Sequence, residues 1–123
     1  QSPPVGGDGF DGHIDLVLWD PAERRLLLRG WANFSMIRPG NTLFLLVPGA
    51  EEAAPPVPIY RPDVMAAMGG NPNLAYSGFE ISVRIAASAE APKAACMWAR
   101  DATGRVARLG GAADWSTGIC ALP

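Results

Sequence analysis

Leu26-Leu27-Leu28-Arg29-Gly30-Trp31-Ala32 is the stretch whose reading decides the fold. Three consecutive leucines suit a strand covered on both faces. A helix would need a longer periodic run, and Pro21 and Gly30 bracket this one tightly. Gly30 leaves room beside the chain, and Trp31 brings the largest apolar side chain to that point. A tryptophan next to a glycine on an interior strand is expected to plug the centre of a small sandwich core.

Upstream, Gly12-His13-Ile14-Asp15-Leu16-Val17-Leu18-Trp19 opens the fold. Plain alternation puts Ile14, Leu16 and Leu18 on one face and His13, Asp15, Val17 and Trp19 on the other. Asp20 to Arg25 is turn chemistry, because Asp bonds its own backbone and Pro21 presets the turn dihedral. An antiparallel hairpin of 13–19 with 25–34 follows. Residues 1–11 are polar and carry neither the charged nor the apolar region of a signal peptide, so they read as a linker. The start at Gln1 suggests a processed product or a piece of a longer protein.

Downstream, Thr42–Val47 reads as a second buried strand, 51–56 as an exposed loop, and Val57–Tyr60 as an edge strand, since Pro58 lacks a ladder donor. Residues 62–68 carry the one helical signal, with Pro62 and Asp63 at its start and Gly69 as its stop. So short a helix must dock its Val64/Met68 side on the body. In Gly78–Ile85, Phe79, Ile81, Val83 and Ile85 face in and Glu80, Ser82 and Arg84 face out. Residues 94–100 and 105–109 pair across an Asp101–Gly104 turn. The expected architecture is all-β: a two-sheet antiparallel sandwich of immunoglobulin-like type, with about seven strands and one short helical insert. It forms one domain over 12–123, with an irregular tail at 110–123.

Of the 123 residues, 49% are hydrophobic and 18% charged, with 14 Gly and 12 Pro. Such a chain folds, and does so through many turns and short strands. The formal charge of −2 gives no basic footprint, so nucleic acid is not an expected partner. No run approaches the length of a membrane span.

The motifs also carry a resemblance. Gly12-x-Ile14-Asp15 is followed by Gly30-Trp31-Ala32, Arg61-Pro62-Asp63-Val64, Gly78-Phe79 and Asp101-x-x-Gly104. This ordered set, spread over 12–109, resembles the β-sandwich accessory modules associated with bacterial membrane glycosyltransferases and other envelope-polysaccharide enzymes. The chain departs from their pattern in its longer, more basic Asp20–Arg25 turn, in its cysteine pair and in the tail after Leu109. The resemblance implies a non-catalytic module that is periplasmic or extracellular and attached to a membrane protein. Such a module binds saccharide or positions a catalytic domain. It brings no catalytic residue with it. The alternative is a structural or protein-interaction domain without sugar affinity.

The candidate chemistry is sparse. His13, the single histidine, lacks a nucleophile partner and reads as an exposed strand-end residue. Among Asp11, Asp15, Asp20, Glu23, Asp63, Glu80, Asp101 and Asp114, no spacing singles out an acid/base pair. Asp8, Asp11 and Asp15 lack the loop and closing Glu of a calcium site. Two cysteines and one histidine make no zinc site. No metal or cofactor is expected. Arg61 and Asp63 either present a cation to a glycan or lock the corner between strand and helix. Among the aromatics, Trp31 and Trp98 belong to apolar strands and are expected in the core. Trp19, Trp115, Tyr60 and Tyr76 are the candidates for exposed faces on which sugar C–H surfaces stack.

Cys96 and Cys120 are expected to form a disulfide across a strand and the tail. In the chain-entropy model such a loop is worth roughly 3 kcal/mol, and it places the domain in an oxidising compartment. A thiol count on unfolded, unreduced protein is therefore expected to find none free. Two free thiols would remove the argument for that compartment.

Overall fold

The computed structural model describes residues 12–92 and 95–111. The linker reading of 1–11, the carboxylates Asp8, Asp11 and Asp114, and Trp115 and Cys120 lie outside the described residues, as does most of the expected tail.

The strands in chain order are β1 (Gly12–Asp20), β2 (Arg25–Ala32), β3 (Thr42–Leu46), β4 (Ala50–Ala53), β5 (Val57–Ile59), β6 (Gly78–Ile85), β7 (Cys96–Arg100), β8 (Val106–Arg108) and β9 (Gly110–Gly111). One helix among the described residues, α1 (Pro62–Ala67), and a 3-10 turn (Pro72–Leu74) lie between β5 and β6. The larger sheet runs β4-β6-β2-β1-β9, with β5 also on the free side of β6; the smaller runs β3-β7-β8. The protein is thus all-β and built of two antiparallel sheets. The one exception among the described residues is the pairing of β9 with β1, which is parallel. Gly110 and Gly111 are therefore strand, where the sequence suggested the start of an irregular tail. Two glycines carry no side chain to signal a strand, and their pairing is a backbone matter.

The inward faces of the two sheets make one core. Ile14, Leu26, Leu28, Phe79, Ile81 and Val83 come from the larger sheet, and Met97 and Ala99 from the smaller. β6 alternates as its sequence says, and β2 sits between β1 and β6 as its leucine run demands. The helix docks through buried Val64 and ends where Gly69 and Gly70 take positive φ.

Several further expectations need correction. First, the face assignment in β1 fails after Ile14. Ile14 pairs with Gly30 but Leu16 pairs with Arg29, so Asp15 is an extra residue, a β-bulge. The bulge shifts the phase by one. Val17 and Trp19 pack on the core, and Leu18 is 52% exposed. Second, Trp31 does not plug the core. Leu26, Leu28, Gly30 and Ala32 point in, which leaves Trp31 half-buried on the outer face with Leu27 and Arg29. Third, β3 is an edge strand and only half-buried. Fourth, part of the 51–56 loop is β4, whose exposed residues pair with the end of β6. His13 is half-buried between Trp31 and Gly110, not exposed.

Trp98 is buried, as expected, but on the face of β7 opposite Met97; β7 is covered on both faces. Its Nε1 has no partner among the described residues.

Gly30 is the tightest point of the larger sheet. A Cβ there would strike the His13 carbonyl and lie 3.0 Å from both Ile14 Cα and Phe79 Cζ. Two of these obstacles are backbone, so the strand itself would have to move. Gly30→Ala is expected to destabilise the fold by roughly 1–3 kcal/mol or more. Urea unfolding measures it, and an unchanged midpoint would refute the close-approach account.

Candidate functional site

Three connections meet at one end of the sandwich: the β2–β3 loop, the segment around the 3-10 turn, and the β7–β8 hairpin. They enclose a cleft of about 500 Å3. Its apolar walls are Phe34, Ile37 and Leu74, and its polar groups include Asn33, Arg38, Asn73 and Asp101.

Local chemistry builds each wall. Asp101 starts the β7–β8 turn; its Oδ1 accepts the Thr103 hydroxyl at 2.6 Å and the backbone N–H groups of Thr103 and Arg105 at 2.9 and 3.0 Å. The Thr103 bond, foremost, holds the Asp101 carboxyl below its ordinary range, so it stays ionised at neutral pH. Asn71 caps the 3-10 turn by accepting the Asn73 N–H at 3.0 Å. Asn41 ties two walls together. Its Nδ2 donates to the Ser35 carbonyl and its Oδ1 accepts the Ala102 N–H, both at 2.9 Å. The third wall is fastened by backbone: Met36 N–H donates to the Tyr76 carbonyl at 2.8 Å.

The sequence candidates separate into two places. Tyr60, Arg61, Asp63 and Tyr76 come together at the corner where β5 enters α1. The Tyr60 and Tyr76 rings are 5.6 Å apart and tilted by 51°, and both are exposed. Arg61 holds Asp63 in a two-pronged pair, with Nε at 3.0 Å and Nη2 at 2.8 Å. Its Nη1 reaches Asp15, the bulge residue, at 2.9 Å. Its stem passes over Gly78, where a Cβ would lie 2.6 Å from Arg61 Cγ. The guanidinium is therefore engaged by two carboxylates, and the group locks a corner. Trp19 is elsewhere, at the far end of β1. It is half-buried, with the Arg24 guanidinium 5.5 Å from its ring centre. Arg24 takes a positive φ and donates from Nη2 to the Ala86 and Ala89 carbonyls, fastening the β1–β2 turn to the segment after β6. Cys96 is buried, and its expected partner Cys120 lies outside the described residues.

Sequence reasoning missed the cleft itself. Asn41 reads as a turn residue, Asn71 and Asn73 as loop, and Asn33 falls inside the expected 25–34 strand. The available signal was their placement between strands, Asn33 and Asn41 beside strand ends and Asn71 and Asn73 at the 3-10 turn, which sandwich topology can gather at one end. Among the described residues, no three His, Cys, Asp or Glu side chains converge as metal ligands, and no helix is long and apolar enough to cross a membrane. No protein-family model matches the chain, and no curated protein or solved structure matches it either.

The corner has a pH signature. Hydrogen bonding to Arg61, foremost, lowers the Asp63 carboxyl to about 2. A folded-state value below the unfolded one means stability that is present above the ordinary carboxylate range and lost as pH falls through the folded value. Asp63→Asn is expected to lower the urea midpoint at neutral pH, by an amount kept modest by solvent exposure. The gap to wild type is expected to close as pH falls from about 4 to about 2. A gap independent of pH would show that the ion pair does not carry it.

Proposed function

We propose that this chain is a non-catalytic, extracytoplasmic accessory module of a bacterial envelope glycan-handling protein, and that it binds saccharide in the loop-end cleft. The observation that carries the reading is the cleft's lining. Asn33 and Asn73 have amides with no partner among the described residues, beside the apolar Phe34, Ile37 and Leu74. A primary amide offers two donors and an acceptor with two lone pairs. A sugar hydroxyl likewise gives one hydrogen bond and accepts others, so free amides match it in kind. The neighbouring Tyr60–Tyr76 pair adds exposed ring faces to which sugar C–H surfaces can stack.

The immunoglobulin-like reading of the fold belongs to the same proposal. The order β4-β6-β2-β1 facing β3-β7-β8 follows the strand order of a seven-strand immunoglobulin constant-type sandwich, with β4 and β5 sharing one edge position. In that layout the three connections around the cleft all lie at one end, the end that variable-type domains use for binding. The proposed envelope location rests on the resemblance and on the expected Cys96–Cys120 bridge.

One observation favours the alternative, a protein-interaction domain without sugar affinity. Leu18, Trp19, Pro21 and Leu27 line a mostly apolar hollow at the other end of the β1–β2 hairpin. A covering domain would bury it.

Amide NMR titration with millimolar envelope-type oligosaccharides decides between the two. Shifts at Asn33, Asn73, Thr103 and Tyr76 are expected. Spectra unchanged at the cleft would end the saccharide reading in favour of the interaction domain.

A further inference from the structure

The hydrogen-bonding groups of the cleft are unevenly spent. Three of its side-chain acceptors are used by the protein, while the Asn33 and Asn73 amide oxygens and Asp101 Oδ2 have no partner among the described residues. Asp101 Oδ1 takes three bonds from Thr103 and Arg105, Asn41 Oδ1 takes the Ala102 N–H, and Asn71 Oδ1 takes the Asn73 N–H. Among the donors, Asn71 keeps its NH2 group, and Arg38 keeps its whole guanidinium. Arg38 lines the cleft, is exposed, and has no side-chain hydrogen bond or ion pair among the described residues.

This sets Arg38 apart from several other arginines. Arg29 pairs with Glu80 at 2.7 Å. Arg61 holds two carboxylates. Arg24 is bonded to two carbonyls. Arg100 lies 4.9 Å from the Phe44 ring centre. Among the described residues the only carboxylate lining the cleft is Asp101, whose Oδ1 is taken up by its own turn and on which the positive charge of Arg105 acts. The planar fork of a guanidinium matches a carboxylate two bonds at a time.

We infer that the cleft selects acidic saccharides, with Arg38 holding the carboxylate of a uronic acid unit while Asn33 and Asn73 hydrogen-bond its hydroxyls. This rests on the saccharide reading above and narrows its substrate class. The ring of the sugar lies along Phe34 and Ile37, and the excess of donors over acceptors favours a ligand that carries more acceptors than donors. A carboxylate is the commonest such group on a glycan.

The test uses tetragalacturonate beside its methyl-esterified, uncharged form, and glucuronic acid beside glucose, with cleft amide shifts as the readout. The acidic member of each pair is expected to bind about tenfold tighter at low salt. The preference is expected to shrink as salt is raised. Arg38→Gln is expected to abolish the preference by weakening the acidic member of each pair more than the neutral one; Arg38 is exposed, so the variant folds. Equal binding of acid and ester overturns this inference and leaves the saccharide reading standing. A preference that survives in Arg38→Gln also overturns it. No cleft shift with any of the four sugars overturns both.

Discussion

The larger sheet depends on how closely β1 passes over Gly30. Interstrand spacing is set by backbone hydrogen bonds, so a side chain at this point can be accommodated only by moving a strand. Gly30 removes the question, and the backbone of His13 and Ile14 occupies the space. Phe79 fills what remains from the β6 side. Immediately beyond this contact β1 carries its extra residue, Asp15. A bulge locally sharpens twist and re-aims side chains, and here it does two things. It brings Val17 and Trp19 onto the core, and it frees a carboxylate that the ladder does not need.

That carboxylate links the sheet to the loop end. Arg61 grips Asp15 on one side and Asp63 on the other, and its stem needs the bare backbone of Gly78 beneath it. Arg61 N–H also donates to the Ala75 carbonyl at 2.7 Å, and Ala32 N–H to the Ser77 carbonyl at 3.0 Å. The segment from the 3-10 turn to β6 is therefore held at several points, and this segment supplies Asn73 and Leu74 to the cleft. An exposed ion pair alone adds little stability. Its worth here is positional: it fixes one wall of the cleft relative to the sheet.

What the sequence disclosed follows from what side chains report. The period of two in Gly78–Ile85 is a burial pattern, and burial is what it yielded. Pro58 declared an edge because a missing N–H is local chemistry. Asp20 and Asp101 declared turns for the same reason. The bulge at Asp15 left no such trace, because one inserted residue looks like ordinary alternation until the partner strand is known. The misplacement of Trp31 has a related cause. Its face is set by the register with Gly78 and His13, and the apolar company of Leu26 to Leu28 pointed the other way. β4 and β9 are paired by backbone, and neither the glutamates of the one nor the bare glycines of the other carry a record of it. The corner of Tyr60, Arg61, Asp63 and Tyr76 was legible in part. Arg61 and Asp63 are two residues apart, whereas Asp15 is far off in sequence. The cleft was not legible, since its residues come from three separate loops.

The cleft also differs from the interior in how it treats polar groups. Inside, an unpaired polar atom is costly, and Ser77 Oγ, Trp98 Nε1 and Arg24 Nε are the buried ones without a partner among the described residues. In the cleft, the free amides and the Arg38 guanidinium remain open to water, so leaving them unpaired costs the fold little. The walls that carry them are nevertheless fixed by Asn41, by the Asp101 turn and by the Met36–Tyr76 bond. Binding to such a surface exchanges water for ligand without first having to order the loops, and that ordering is what weakens many loop-built sites. Walls fixed by neutral amides and a triply bonded carboxylate, around a cation without a partner among the described residues, are an arrangement in which, on the saccharide proposal, stability and recognition draw largely on different residues.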